Sequence, residues 1–277
     1  MGFIRSFSDR QINQMTSGEN AELFLQLKAD VLRGVVFPAV RKNELHFYYQ
    51  GGCLYKFSGG SFKRDKNFEK FGIGFEGLSS YEKAKKEIEV KFTNVGGKAK
   101  ERRLLNELNC HTFFGGYGGS VVVLDIEVNL NGAVGGGKKC DLVLFNRKTD
   151  ELAFVEGKVF FDPRVLVSEP FTPEVITQVN TYTAAISEQR KNIIEQYARH
   201  VEIVNELFKT SYRAPRTMIE PAKLLVYATP TYPTPNGVYT IGKINSALGA
   251  GNVLWARDDD RPTLDEIWNA LTRQSKR

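Results

Sequence analysis

Cysteine and histidine are scarce in this chain of 277 residues, three of each. Cys53, Cys110 and Cys140 are far apart and odd in number, which fits neither a disulfide framework nor the paired spacing of a zinc site. His46, His111 and His200 are just as scattered, so a histidine-rich metal centre is excluded. Any bound metal would be held by oxygen, the preference of Mg²⁺ or Mn²⁺. Long apolar runs are missing as well: none approaches the roughly 20 residues of a membrane helix. The N-terminal stretch lacks the apolar core of a signal peptide, so a cytoplasmic location and no membrane partner are expected. Internal repeats and low-complexity tracts are absent too.

What is present is an ordinary globular composition, 42% hydrophobic and 25% charged. The length suffices for one large domain, or one domain with an appendage. A net charge of +6 and a pI near 9.1 suit a polyanionic partner such as nucleic acid. Residues 19–33 predict an amphipathic helix, and strands are expected at Val35–Val40, Leu45–Tyr49 and Leu54–Phe57 between glycine pairs. Helix returns over 80–91 and again near 98–109, after the break at Gly96-Gly97. Tyr48 to Lys66 mixes basic and aromatic residues, equally suited to a nucleic-acid path and to core strands with solvated lysines.

The second part of the chain carries a more specific order. Val121–Leu130 predicts a strand with Val122, Leu124, Ile126, Val128 and Leu130 on one face. A glycine loop at 132–137 leads to strands at 139–146 and 151–160. Thr172-Pro173-Glu174 starts a helix expected to run to about Phe208. Short apolar strands follow at Lys223–Ala228 and Asn252–Ala256, and Thr263 with Glu266 forms a capping box for a last helix.

The hairpin at 139–160 brings charged groups together. With Arg147–Asp150 as its loop, Asn146 faces Glu151, and Asp141 then lies opposite Glu156. Both strands are otherwise apolar on both faces, so the two acids are expected in a buried setting. Carboxylates so close repel, and must share a proton or bind a cation. Lys158 follows Glu156 by two residues and emerges on the same face. Gly157 between them lets a backbone carbonyl approach a bound ion. Two acids and an ammonium on one face suit metal-assisted phosphodiester hydrolysis. A one-residue register slip would put the acids on opposite faces.

Asp141 followed by Glu156-Gly157-Lys158 on the next strand resembles the signature of the PD-(D/E)XK nucleases. The segment Lys100 to Leu108 resembles the first helix of that fold, and Glu101 then corresponds to the helix acid that supplements the metal site. Gln178 and Tyr182, four residues apart on one helix face, resemble the Gln-x-x-x-Tyr motif of the RecB-like branch. The resemblance spans about residues 97–256. Cys140 stands where the family nominally has proline, and Gly157 where an apolar residue is usual. Neither departure removes a charged group.

The resemblance implies an α/β fold, a restriction-endonuclease-like αβββαβ core with a central mixed sheet flanked by helices. A strand-rich N-terminal region precedes it, and the boundary is expected between residues 95 and 96. It implies Mg²⁺- or Mn²⁺-dependent cleavage of nucleic acid, DNA favoured. Asp141 and Glu156, with the Gly157 carbonyl, would hold the metal, Lys158 would act with the water, and Glu101, Gln178 and Tyr182 would support them. The alternatives are a ribonuclease and a non-catalytic nucleic-acid-binding module on the same fold. Two other patterns carry less. Glu89-Val90-Lys91 repeats the triplet on a lysine-rich helix with no opposed acid, and reads as a solvated face. Gly132 to Lys138 nearly matches a phosphate-binding loop, but Lys139 replaces its Ser/Thr and a strand replaces its helix. Glu127, beside Asp125, is a further candidate metal ligand, or a residue on an exposed edge.

Overall fold

A computed structural model describes residues 3–64, 80–93, 119–130, 139–230, 232, 234–257 and 262–272. The protein is α/β, with two separate sheets. Contacts divide the chain into two units. An N-terminal unit comprises Ile4–Gly118 with Glu195–Ala214, and a hairpin unit comprises Met1–Phe3, Gly119–Ile194 and Pro215–Arg277. This division differs from a single cut between 95 and 96. The segment 195–214 belongs with the N-terminal unit, where the Arg5 amide donates to Gln196 Oε1 at 2.7 Å and the Arg5 guanidinium lies 5.8 Å from the Tyr197 ring centre. The helix expected near 98–109, Glu101 included, lies outside the described residues.

In the N-terminal unit, α1 (Asp9–Thr16) opens on a capping box: Ser8 Oγ accepts from the Gln11 amide, and Gln11 Oε1 accepts from the Ser8 amide. A 3₁₀ turn at Gly18–Asn20 leads into α2 (Ala21–Leu32). Strands β1 (Phe37–Arg41), β2 (Glu44–Tyr49), β3 (Gly52–Ser58) and β4 (Ser61–Lys63) pair antiparallel in chain order, and α3 (Tyr81–Thr93) follows. In β2, Leu45, Phe47 and Tyr49 are buried while their neighbours are half-exposed, the alternation of a strand with one solvated face. Tyr55, Phe57 and Phe62 are buried too, with Phe57 and Phe62 edge to face at 5.1 Å. Apart from half-exposed Tyr48, the described aromatics of the 48–66 segment are therefore core, and Lys66 lies outside the described residues.

In the hairpin unit the strands run β5 (Val121–Asn129), β6 (Lys139–Asn146), β7 (Glu151–Val159), β8 (Thr217–Thr229) and β9 (Val253–Arg257), adjacent in that order. β6 pairs antiparallel with both β5 and β7, and β7, β8 and β9 are parallel. Parallel neighbours need crossovers. α4 (Glu174–Phe208) joins β7 to β8, α5 (Pro235–Leu248) with a 3₁₀ turn at Ala250–Asn252 joins β8 to β9, and α6 (Leu264–Thr272) follows. The capping box at α6 forms as expected: the Thr263 amide donates to Glu266 Oε2 at 2.7 Å, and Thr263 Oγ1 accepts from the Glu266 amide at 3.3 Å.

α4 is an unbroken helix. Val175, Val179, Tyr182, Ile186, Ile193, Tyr197, Val201, Val204 and Phe208 are buried on its inward stripe. It stops where Lys209 adopts a positive φ of 58°, the backbone turn that commonly ends a helix. β5 departs from the expected single face. Its register shifts between Val123 and Asp125, so the alternation breaks there and Asp125 is fully buried rather than on an exposed polar face.

Candidate functional site

The site begins with a turn. Asn146 Oδ1 accepts from the amides of Lys148 and Thr149, at 3.0 and 3.4 Å, and the Asp150 amide returns to the Asn146 carbonyl at 2.8 Å. Asp150 has a φ of +58°, a conformation that Asp tolerates better than most residues. The loop is thus held at four residues, and β6 and β7 pair in the expected register, from Asn146 with Glu151 to Leu142 with Val155. Beyond Leu142 the ladder gives way to a side chain, for Asp141 Oδ2 accepts from the Gly157 amide at 2.9 Å. This carboxylate meets the backbone of β7 next to Glu156.

Lys158 is 2% exposed, and its ammonium donates to Glu156 Oε1, to the Gly157 carbonyl at 2.8 Å and to Asp141 Oδ2 at 3.4 Å. Glu156 is 1% exposed and Asp141 16%, so the group opens toward solvent on the Asp141 side. Gln178, on the first turns of α4, donates through Nε2 to Glu156 Oε1 at 2.6 Å and to the Tyr182 hydroxyl at 2.9 Å. Tyr182 passes its own proton to the Lys139 carbonyl at 2.8 Å. A buried glutamine amide needs such partners, and this chain fixes Glu156 from behind.

Burial drives the electrostatics. It raises the Asp141 carboxyl above its ordinary range; Lys158 and the Gly157 amide pull it back without cancelling, and Glu127 adds to the rise. Burial, then the charge of Glu156, also raises the Tyr182 phenol, keeping it a neutral donor. The Cys140 thiol is pushed well up by burial and by Glu156 and Asp141, so it is inert here, its Sγ lying 3.5 Å from the Val155 carbonyl.

Of the residues singled out in the sequence, Asp141, Glu156, Gly157, Lys158, Gln178 and Tyr182 come together in one cluster, and Glu101 lies outside the described residues. Glu127 is partly exposed and pairs with Lys139 at 3.5 Å. The Lys139 carbonyl belongs to the cluster unforeseen, since no side-chain pattern signals a backbone acceptor. Among the described residues no three His, Cys, Asp or Glu side chains form a metal cage. The donors nonetheless fit a hard cation. Lys158 Nζ is itself a cation cradled by oxygens of Asp141, Glu156 and Gly157. Two carboxylates and a carbonyl suit Mg²⁺, which keeps several waters and takes few protein ligands. No family model, curated protein or solved structure matches the chain.

Proposed function

We propose that the protein is a Mg²⁺-dependent nuclease of the PD-(D/E)XK type, RecB-like branch, cleaving phosphodiester bonds with DNA as the favoured substrate. The observation that carries this reading is the three-oxygen cradle around Lys158 Nζ, two carboxylates and one carbonyl on adjoining strands, open on the Asp141 side. The strand order β5-β6-β7 followed by α4 and β8 supports a restriction-endonuclease-like core. When bound, the ion would supply charge for the scissile phosphate and a more acidic water. Asp141 and Glu156 would hold it, with the Gly157 carbonyl alongside. Gln178 and Tyr182 hold Glu156 in one orientation, so this ligand is preorganised. Lys158 places an ammonium beside the acids, where it orients the attacking water or offsets negative charge in the transition state.

The same cradle supports a second reading. Lys158 already pairs with both acids, which suits a nucleic-acid-binding module that keeps this fold without catalysis. Incubation of supercoiled plasmid, linear duplex, single strands and RNA with Mg²⁺ or with chelator separates the two. Mg²⁺-dependent cleavage that disappears in Asp141→Asn supports the nuclease. Cleavage equal in both proteins, or none with any substrate, removes it.

A further inference from the structure

In the N-terminal unit a cleft of about 520 Å³ is lined by Arg10 and Gln14 of α1, Lys42 between β1 and β2, and Gly59-Gly60 between β3 and β4. That volume lies in the range of ligand sites, roughly 300–1,000 Å³. Three segments distant in sequence build its walls, and hydrogen bonds pin them together. Gln11 Nε2 donates to the Asn43 carbonyl at 2.7 Å, and Asn20 Nδ2 joins the carbonyls of Gln14 and Gly60 at 3.0 and 3.1 Å. The Asn43 amide donates to the Ser6 carbonyl at 2.9 Å.

The framework groups are thus occupied, while the cations are not. Arg10, Lys42 and the Gln14 amide make no ion pair or side-chain hydrogen bond among the described residues. Lys63 also has none, and its ammonium lies over Gly59, 3.6 Å from where a Cβ there would sit. Glu44, also of the cleft lining, accepts from Ser58 Oγ at 2.8 Å and lies 2.6 Å from His46 Nε2. With Lys63 beside it, the cleft's two lining cations outnumber its one lining acid, an arrangement that favours an anion. Cations drawn from separate segments, in a chain of net charge +6, suit the phosphates of a strand.

We propose that this cleft binds the phosphodiester backbone of a nucleic-acid strand, with Arg10 and Lys42 as phosphate contacts. The proposal concerns binding alone and stands or falls apart from the chemistry assigned to Asp141 and Glu156. Its test is fluorescence anisotropy of a labelled DNA strand with the full chain in chelator, across a salt series. Arg10→Glu with Lys42→Glu should weaken binding by about ten-fold or more and flatten the salt slope by about 1.4, the loss of two single-strand phosphate contacts. Lys191→Glu with Arg199→Glu, an equal charge change on exposed helix positions, should do much less.

Unchanged affinity and slope in the Arg10/Lys42 variant would overturn the proposal. So would an equal loss in the control, which would mean bulk charge. Inorganic phosphate at matched ionic strength should not displace the strand; displacement at millimolar phosphate would make the cleft a free-phosphate site and overturn the strand reading. If the double variant melts early, Arg10→Gln with Lys42→Gln carries the same comparison without added acids.

Discussion

Each unit buries a carboxylate beside an ammonium, and the two clusters differ in their balance. In the N-terminal unit, Asp30 is fully buried and accepts from Arg33, from the Tyr81 hydroxyl at 2.7 Å and from Lys85 at 3.2 Å. Lys85 also lies 5.1 Å from the Tyr49 ring centre and 5.4 Å from that of Tyr81. Burial raises the Asp30 carboxyl, but Tyr81, Arg33 and Lys85 outweigh it and hold the group below its ordinary range. In the hairpin unit Asp141 and Glu156 share the Lys158 ammonium, and Asp141 is held above its range. One buried acid with two cations, and exposed Glu82 3.6 Å from Lys85, is a completed ion cluster. Two acids on one ammonium leave a place for more positive charge. On the proposed reading, the same ingredients make a fastener in one unit and a receptive site in the other.

The largest effect that could break this contrast is on cleavage. Lys158→Ala should abolish nicking, a loss of about a thousand-fold or more, while Mg²⁺ still raises the melting temperature. In Asp141→Ala, Mg²⁺ should no longer raise it. Full activity in Lys158→Ala, or equal Mg²⁺ shifts in the native protein and Asp141→Ala, would make the hairpin cluster another fastener.

Gln178→Ala should slow cleavage by about ten-fold or more with little change in melting temperature, since a ligand-orienting group is lost. Tyr182→Phe should act in the same direction more weakly. If neither rate changes, the helix face contributes packing only.

On the other side of the contrast, Asp30→Ala takes the acceptor from the buried Tyr81 hydroxyl and leaves half-buried Lys85 with exposed Glu82, at 3.6 Å. Stability measured by urea unfolding should fall by roughly 3 kcal/mol, and Mg²⁺ should not restore it. A loss under about 0.5 kcal/mol would place Asp30 with ordinary surface pairs.

The smallest effect is one of sign, read from melting temperatures between about pH 2 and 8. Asp30 is lowered on folding, so it stabilises above the ordinary Asp range and the benefit fades as pH falls through its folded value. Asp30→Asn should therefore cost most at neutral pH. Asp141 is raised on folding, so its ionisation opposes folding above that raised value and protonation relieves it as pH falls. In chelator, Asp141→Asn should melt higher than the native protein at neutral pH, the gain shrinking toward acid. Parallel pH curves for the two variants would erase the distinction.

Much of the hairpin unit was legible because local signals agreed with the tertiary outcome. Asn146 and Asp150 fix a turn whose residues announce it, and Thr172-Pro173-Glu174 with a regular apolar stripe announces α4. α1 went unnoticed because an eight-residue polar helix buries only Ile12 and Met15. The bulge in β5 was hidden, since Val121 to Leu124 read as strand in either register. Lys223 looked like the polar start of a short strand. It is fully buried within a longer one, where burial pushes its ammonium down to about 8 and Nζ donates to Asn252 at 2.6 Å. Which half of α4 belongs to which unit depends on contacts with residues nearly two hundred positions away, such as Arg5 with Gln196, and no local pattern carries that.

The turn at Arg147–Asp150 has a consequence for how the protein can vary. Its members Lys148 and Thr149 are exposed and serve the turn through their backbone amides, so their side chains are open to change. Their number is not. One inserted residue that the turn could not absorb would carry Asp141 to the opposite face from Glu156, separating the acids without altering either. Variation in this loop should therefore be broad in kind and fixed in length.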